Sequence, residues 1–329
     1  MNNFCTLFNS SYLNRGLALY DSLKTNSKSF HLYIFAFDNL TEKILKKKNL
    51  SNVTVINLKK FEDKELIKAK KNRTKTEYFW TCTGSSILFL FKNYKIKSCT
   101  YIDSDIFFFE DPKIVLNEIN KNSCGITIHN YSKKYDQTKT SGKYCVQFLY
   151  FRNDNIGNEI LDWWRKKCLE WCFNRFEDNK FGDQKYLDDW LERFKNVHVI
   201  KNQGAGVAPW NMQKFFFIQR NNKIQLKINN NRYNLNFFHF HNLRFLKNRK
   251  IFLGGYDVNR NVLQAIYKPY ISLLNKINTD LIMNHRLDIK YLLTDYYNGK
   301  VIFFRILKRI LLRKNFLKLN VFNDDICQN

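Results

Sequence analysis

Strand and helix signals alternate through the first 60 residues, and this alternation constrains the fold more than any other feature of the chain. Short apolar runs predict strands, and apolar residues at helical spacing predict helices. A βαβαβ order implies parallel strands in one sheet, with helices packed on its faces. The predicted strands are 3–8, 30–37 and 53–58, and the predicted helices are 12–23 and 41–48. We therefore predict an α/β fold with a mostly parallel sheet.

Mixed strand and helix signals continue to about residue 250. Pro112 starts one predicted helix, because proline is favoured at the first helical position. From residue 251 helical periodicity takes over, so we predict an α/β domain of residues 1–250 and a helical, basic extension of residues 251–329. The other predicted elements are a helix at 84–94, strands at 99–102, 124–128, 144–151 and 197–200, a polar loop at 130–142, helices at 156–172 and 183–194, and a hairpin of 224–228 with 235–240.

The composition is strongly basic, with 55 Lys and Arg against 29 Asp and Glu and a formal charge of +26. Such a charge predicts attraction to polyanions such as nucleic acid, anionic lipid or phosphorylated substrates. With 44% hydrophobic residues the chain is folded rather than disordered. No run approaches the roughly 18 apolar residues of a membrane span, and no signal-peptide core is present. We expect a cytoplasmic protein whose eight cysteines are reduced and structural.

Two aspartates, Asp103 and Asp105, follow a short apolar strand and precede another apolar run. Unpaired buried carboxylates cost several kcal/mol, and a divalent cation would offset that cost. Mg²⁺ and Mn²⁺ prefer oxygen ligands. If the chain stays extended through Ser104, both carboxylates lie on one side of it and can address one ion. Ligands in open α/β sheets bind beyond the ends of strands, so we predict a metal site rather than two solvated aspartates.

A carboxylate and an amide, Asp183 and Gln184, open a predicted helix. Aspartate is a preferred helix cap, so capping is the alternative to a functional role. Gly204 and Gly206 lie in a loop whose backbone amides could approach a phosphate, and Trp210 could stack on a sugar or base. A glycine loop with one tryptophan is a weak signal by itself.

Two histidines, His239 and His241, share one face of a predicted strand. This spacing is consistent with metal ligation, and packing in the core is the alternative. Lys143 and Gln147 lie on one side of another predicted strand, next to the polar loop. Ordinary edge-strand polarity is the alternative for that pair.

Taken together, these segments resemble the GT-A fold glycosyltransferases, which use nucleotide sugars. The resemblance is strongest to the family eight galactosyl- and glucosyltransferases of bacterial lipopolysaccharide or capsule synthesis. It covers residues 1 to about 245 and lies in the order of the motifs. That order is the βαβ start, the Asp103 and Asp105 pair, the Asp183 and Gln184 pair, the glycine loop, and the histidines.

The resemblance implies a metal centre built on Asp103 and Asp105, with His241 as the third ligand and His239 as the alternative. This metal would hold the diphosphate of the donor. An imidazole beside two carboxylates favours Mn²⁺ over Mg²⁺.

The resemblance also implies transfer of a hexose from a UDP-sugar to a hydroxyl of a glycan or lipid-linked glycan. Asp183 and Gln184 would act at the donor sugar as catalytic residues. The other residues implied at the nucleotide sugar are Thr6, Phe8, Asn9, Trp80, Thr83, Ser86, Asp103, Lys143, Gln147, Gly204, Gly206 and Trp210.

Two other functions compete with this prediction. A sugar nucleotidyltransferase would share the sheet and the metal site, but it typically carries a glycine-rich phosphate loop after the first strand, and residues 9–16 match such a loop poorly. A nucleic-acid-binding protein would use the positive charge and the aromatic residues. Most aromatic residues fall in core patterns, and no nucleic-acid motif is present, so we expect no nucleic-acid partner.

The segment 302–314 predicts a basic amphipathic helix, with an apolar stripe flanked by Lys and Arg. Such helices lie on anionic membranes, which would place the protein peripherally on the cytoplasmic face of the inner membrane. Packing on the α/β domain with a solvated basic face is the alternative.

Overall fold

A seven-stranded sheet lies at the centre of the computed structural model, which describes residues 1–220, 223–247 and 250–294. The strands, in chain order, are β1 (Asn2–Phe8), β2 (Phe30–Ala36), β3 (Val53–Asn57), β4 (Ser98–Ile102), β5 (Ile106–Phe108), β6 (Cys124–Ile128), β7 (Tyr144–Arg152), β8 (Val197–Val199), β9 (Phe216–Arg220), β10 (Lys223–Ile228), β11 (Asn231–Asn234), β12 (Phe237–His239), β13 (Arg244–Leu246), β14 (Ile251–Phe252) and β15 (Leu293–Thr294). The α-helices are α1 (Leu13–Asn26), α2 (Asn39–Lys48), α3 (Leu58–Phe61), α4 (Lys64–Lys70), α5 (Lys75–Asn93), α6 (Lys113–Ile119), α7 (Thr138–Ser141), α8 (Asn155–Glu170), α9 (Trp190–Arg193), α10 (Arg260–Val262) and α11 (Lys268–Met283).

The central sheet has the order β3-β2-β1-β4-β7-β6-β8. Neighbouring strands are parallel except where β7 lies between β4 and β6, and β7 is antiparallel to both. The mostly parallel α/β sheet predicted from the alternation is therefore confirmed. The sequence proceeds from β1 outward to β3 and then returns to place β4 on the other side of β1. The crevice between the ends of β1 and β4 is thus a topological switch point, where ligands bind in open α/β sheets.

Each face of the sheet is covered by its own core. Along β1, Phe4 and Phe8 belong to the core that α1 and α11 cover, whereas Cys5 and Leu7 belong to the core under α5 and α8. Burial on both faces explains why β1 reads as a continuous apolar run. Each fully buried large side chain contributes about 1.5–3 kcal/mol relative to an exposed one. The seven cysteines of the described residues are free and buried, as predicted for structural thiols; six lie in the core under α5 and α8, and Cys145 lies in a small cluster with Trp210.

Helix α5 begins at Lys75, whereas the sequence pattern predicted a start at residue 84. Its first turn is fixed by a capping box, in which Thr74 caps the amide of Glu77 and the Glu77 carboxylate accepts from the amide and the hydroxyl of Thr74. This reciprocal cap satisfies amides that would otherwise lack partners at the helix start.

The predicted hairpin is wrong in its second strand. β10 pairs with β11, and β9 lies on its other side, so these strands form a separate three-stranded antiparallel sheet. β12 instead pairs antiparallel with β5, the strand that directly follows the two aspartates. The long-range partner is preferred because the phenylalanines of both strands are buried against each other, as in the pair of Phe108 and Phe237.

The segment predicted as one helix at 183–194 consists of a 3-10 helix, Lys185–Asp189, followed by the single turn of α9. The polar loop at 130–142 contains two short helical pieces, Lys133–Tyr135 and α7. Its two ends are tied to different neighbours, because Ser132 donates to the carbonyl of Trp210 and the amide of Lys143 donates to Asp188.

After residue 250 the chain returns to the body of the fold. α11 packs on α1, and the buried amides of Asn14 and Asn278 are hydrogen bonded at 2.8 Å. The domain boundary near residue 250 stays a prediction, and the amphipathic segment 302–314 lies outside the described residues. Within those residues, no helix combines the length and the apolar character that crossing a bilayer requires.

Candidate metal and catalytic site

Asp103 and Asp105 lie on a tight turn directly after β4. The amide of Ile106 donates to the carbonyl of Asp103 at 3.2 Å, so the chain folds back at Ser104 and the condition of an extended segment is not met. The turn still brings the two carboxylates together. Asp105 is 7% exposed, and the phenol of Tyr101 donates to Asp103 Oδ1 at 2.9 Å.

The β5–β12 ribbon places a histidine against this turn. His239 pairs with Ile106 across the ribbon, and the amide of Phe240 donates to the carbonyl of Asp105 at 2.8 Å. As a result, Nε2 of His239 lies 3.1 Å from Asp105 Oδ1 and 3.7 Å from Asp103 Oδ2. Ligand atoms of the three side chains all lie within 4.8 Å of one another.

Gln147 fixes the other nitrogen of the His239 ring. Its Oε1 lies 3.0 Å from His239 Nδ1, so Nδ1 carries the proton that it donates and Nε2 faces the aspartates. Gln147 is fully buried, and its Nε2 lies 3.4 Å from the hydroxyl of Thr127. The register of β6 against β7 shifts between Ile126 and Thr127. Such bulges re-aim side chains near functional sites, and this one lies beside Gln147.

The charges of Asp103, Asp105 and His239 shift one another's pKa. Burial opposes the charged form of Asp105, but the nearby positive ring of His239 outweighs it and holds the pKa of Asp105 at about 2. Burial of His239 acts to lower its pKa, yet the charge of Asp105 raises it well above the usual value. Burial raises the pKa of Asp103. The protonated ring therefore occupies the place of a cation between the carboxylates.

These donor atoms fit a divalent metal. Two carboxylate oxygens and one imidazole nitrogen are a suitable set for Mn²⁺, and the outer nitrogen of the imidazole already has the hydrogen bond that metal-binding histidines usually make. His241 lies beside this set rather than in it. It is exposed, its ring centroid is 5.7 Å from that of His239, and the group that could hold a metal among the described residues contains His239 instead.

Trp210 is buried against both histidines. Its ring centroid lies 5.4 Å from that of His239 and 5.5 Å from that of His241, and its Nε1 donates to the carbonyl of His129 at 2.8 Å. Because the Trp210 ring is buried, it packs against the two histidine rings and supports their positions. Gly206 has a φ of +79° and lies close to Gln147, whereas Gly204 lies so close to the backbone of Asn234 that a Cβ would collide with it.

Asp183 is held by hydrogen bonds from α5 and α8. Thr83 donates to Asp183 Oδ2 at 3.0 Å, and Trp164 donates to its carbonyl at 2.8 Å. It is 4% exposed and does not cap a helix, so the capping alternative is wrong. Burial, reinforced by the charge of Asp103, raises the pKa of Asp183 to about 8. Gln184 follows it and is half-buried.

The other residues predicted at the nucleotide sugar lie on β1 and the turn after it, on α5, and at the start of β7. Thr6, Phe8 and Asn9 are buried in β1 and the turn after it, and Asn9 caps the short helix Ser10–Tyr12. Ser86 lies on α5, where its hydroxyl donates to the carbonyl of Thr83. Trp80 packs near Phe181, and exposed Lys143 has its ammonium 5.2 Å from the centroid of the Tyr144 ring.

Two residues next to the aspartates, Tyr101 and Arg15, are not among those predicted from the sequence. Tyr101 lies two positions before Asp103, so strand alternation could have placed both on one face. Arg15 is buried, and its Nη2 donates to the carbonyl of Leu243 at 2.6 Å, which ties the start of α1 to the segment after His241. No local signal identifies a partner 228 residues away in the chain.

Comparison with known proteins gives two kinds of similarity. No protein-family model matches the chain. Among solved structures it is similar to the galactosyltransferase LgtC (TM-score 0.49, 10% identity, 74% of this chain and 88% of that one) and to mouse xyloside xylosyltransferase 1 (TM-score 0.45, 11% identity, 73% and 98%).

Among curated proteins it is 29% identical over 283 residues to the uncharacterized protein YfnD of Bacillus subtilis (strain 168), a match that covers 83% of this chain and 89% of YfnD. It is 30% identical over 284 residues to the uncharacterized protein YfnF of the same organism, covering 83% of this chain and 92% of YfnF. The chain belongs to the same protein family as YfnF.

Proposed function

We propose that this protein is a metal-dependent glycosyltransferase that moves a hexose from a UDP-sugar to a hydroxyl of a glycan acceptor. The observation that carries the proposal is the convergence of Asp103, Asp105 and His239 at the end of β4. This convergence lies at the switch point of an α/β sheet, where nucleotides bind. The resemblance in motif order supports the same activity.

A divalent ion held by Asp103, Asp105 and His239, Mn²⁺ in preference to Mg²⁺, would supply positive charge for the diphosphate leaving group. The residues of the chain prepare that site. Gln147 holds the His239 ring in the tautomer that offers Nε2. Tyr101 orients Asp103 through its hydrogen bond. The enclosed site lowers the cost of reorganising polar groups during the reaction.

The donor would lie in the crevice between β1 and β4. The end of β1, with Thr6, Phe8 and Asn9, would border the nucleotide from one side. Trp80, Thr83 and Ser86 of α5 would border it from the other, with Lys143, Gly204, Gly206 and Trp210 as the remaining members of the proposed set. Asp183 and Gln184 would lie at the sugar. Burial and the charge of Asp103 raise the pKa of Asp183 to about 8 in the metal-free protein, and in its protonated form Asp183 can donate a hydrogen bond to a sugar hydroxyl.

The acceptor class follows from the resemblance alone. We propose a glycan or lipid-linked glycan of surface polysaccharide synthesis, and a protein that works on the cytoplasmic face of the membrane. The net charge of +26 is consistent with an anionic surface or substrate.

A donor screen tests the activity. Wild-type protein is incubated with a panel of UDP-sugars and Mn²⁺, and release of UDP is measured with and without EDTA. We expect one or a few donors to give metal-dependent release, and Asp105→Asn to abolish it while circular dichroism shows that the variant is still folded at the assay temperature. Asp162→Asn, at an exposed acid on α8, is the matched control and should retain activity. Release that persists in Asp105→Asn or in EDTA would contradict the proposal.

A further inference from the structure

A long acid-free segment surrounds the small antiparallel sheet. Between Phe194 and Tyr256 the sequence contains eleven Lys and Arg and no Asp or Glu. The chain as a whole has about one acid for every two basic residues, so this stretch is far more one-sided than the rest. A surface built from it carries a positive potential that neighbouring acids of the same segment do not cancel.

The pairing of β9, β10 and β11 sorts these residues onto two faces. Phe217, Leu226 and Tyr233 lie in one row across the strands and face the core. Phe216, Lys227 and Arg232 form the adjacent row and are all exposed on the outer face. Lys227 and Arg232 form no ion pair with any residue that the structure describes. The outer face therefore presents two uncompensated cations beside an aromatic ring.

The same face contains a recess of about 440 Å³ lined by Phe216, Ile218, Lys227, Asn229 and Arg232. Phe216 is 57% exposed, although its neighbour Phe217 is buried. A phenylalanine exposed to this degree next to an isoleucine is an apolar patch without a partner inside the fold. An apolar centre edged by lysine and arginine is the arrangement of a surface that lies on anionic lipid.

We propose that this outer face of the β9–β11 sheet is a docking surface for an anionic phospholipid bilayer. Phe216 and Ile218 enter the boundary between headgroups and acyl chains, while Lys227 and Arg232 contact lipid phosphates. A bilayer fits better than single-stranded nucleic acid, because nucleic-acid surfaces stack several bases on aromatic rings, and here one aromatic ring stands beside an aliphatic side chain. The proposal does not depend on the enzymatic activity.

The sheet has a fixed relation to the candidate site. Glu110 lies just past the end of β5 and anchors the sheet, because its Oε1 accepts from Lys223 of β10 at 3.1 Å and from Asn234 of β11 at 3.0 Å. Four residues separate Asp105 from Glu110, and three of them form β5, so the Cα atoms of Asp105 and Glu110 lie at most about 16 Å apart. A bilayer bound to the outer face would hold the site at a set distance from its surface.

Vesicle binding tests the docking surface with the full chain. Partitioning is measured by co-sedimentation with vesicles of phosphatidylcholine alone and of phosphatidylcholine mixed with phosphatidylglycerol. We expect binding to the mixed vesicles only, and a roughly 30-fold weaker partitioning when Lys227→Gln and Arg232→Gln are combined. The matched control combines Lys64→Gln and Lys68→Gln, two exposed lysines of α4. Helix α4 packs on the face of the central sheet opposite to the face that the β9–β11 sheet packs against. This control removes the same charge and should change partitioning much less.

A second measurement locates the contact, independently of any other part of the chain that binds lipid. Phe216→Trp introduces a fluorophore at the centre of the surface, and the wild type supplies the background of its six tryptophans. We expect an added emission that shifts to shorter wavelength on mixed vesicles and is quenched by brominated acyl chains.

Three results would overturn the proposal. The first is equal loss of partitioning in the two double variants, and the second is an added emission in the Phe216→Trp variant that lipid leaves unchanged. The third is salt-dependent binding to single-stranded DNA that needs Lys227 and Arg232, in a protein that ignores both kinds of vesicle. None of these results bears on UDP release, so rejection of the membrane-docking surface would leave the proposed glycosyltransferase activity untouched.

Discussion

Gln147 Oε1 accepts a hydrogen bond from Nδ1 of His239 over 3.0 Å, and this contact decides which ring nitrogen faces Asp103 and Asp105. Outer hydrogen-bond partners of this kind raise the basicity of a ligand and hold its orientation. The contact links the β6–β7 bulge to the metal site, because Gln147 lies where the register of those strands shifts.

Removing that hydrogen bond should weaken metal binding without removing a ligand. For Gln147→Leu, which keeps a similar volume, we expect Mn²⁺ affinity to fall by about 10–100-fold. Gln147→Glu keeps an acceptor for the Nδ1 proton and should bind Mn²⁺ at least as well as Gln147→Leu does. Isothermal titration measures both, and equal affinities for Gln147→Leu and the wild type would show that the contact has no such role.

The two histidines should differ sharply in their effect on the metal. His239 Nε2 faces both carboxylates, whereas His241 lies outside this group. We expect His239→Ala to weaken Mn²⁺ binding more than Gln147→Leu does, and His241→Ala to weaken it less. The reverse ranking would assign the third ligand to His241.

Metal binding should release a proton. The charge of Asp105 keeps the pKa of His239 raised, so the ring is protonated near neutral pH. A metal ligand must be neutral imidazole, so the ion displaces that proton and affinity rises with pH up to the raised pKa. Titration of Mn²⁺ in buffers of different ionisation enthalpy should report about one proton released per ion. A titration with no released proton would argue against His239 as a ligand.

The capping box of α5 should give a pH-dependent contribution to stability. Burial acts to raise the pKa of Glu77, but hydrogen bonds from the amides of Asn174 and Thr74 outweigh it and lower the pKa below 4.5. The stabilisation is therefore present above the ordinary pKa and is lost as the pH falls through the lowered one. Glu77→Gln should cost about 1 kcal/mol at pH 7. Urea denaturation should give a smaller difference from wild type in acid, and a constant difference would contradict this account.

Local patterns predicted the sheet and the pairing of the two aspartates, because βαβ alternation and an Asp-x-Asp between apolar runs are both visible within a few residues; they did not predict the turn at Ser104. Thr74 and Glu77 have capping-box spacing, which indicates the start of α5, whereas the apolar run 87–91 favours a later start. The pairing of β12 with β5 could not be predicted from local sequence. The turn at 229–232 favours a local hairpin, whereas Phe237 and Phe108 pair although they are far apart in the sequence. That pairing determines which histidine reaches the aspartates.

We propose that Asp103, Asp105 and His239 together hold a divalent ion at the diphosphate of a nucleotide-sugar donor. A crystal grown with Mn²⁺ and UDP, with data collected near the manganese absorption edge, measures this directly. We expect an anomalous peak in contact with both carboxylates, with Nε2 of His239 and with the UDP diphosphate. A peak that lacks His239, or UDP bound with no manganese between Asp103 and Asp105, would contradict it.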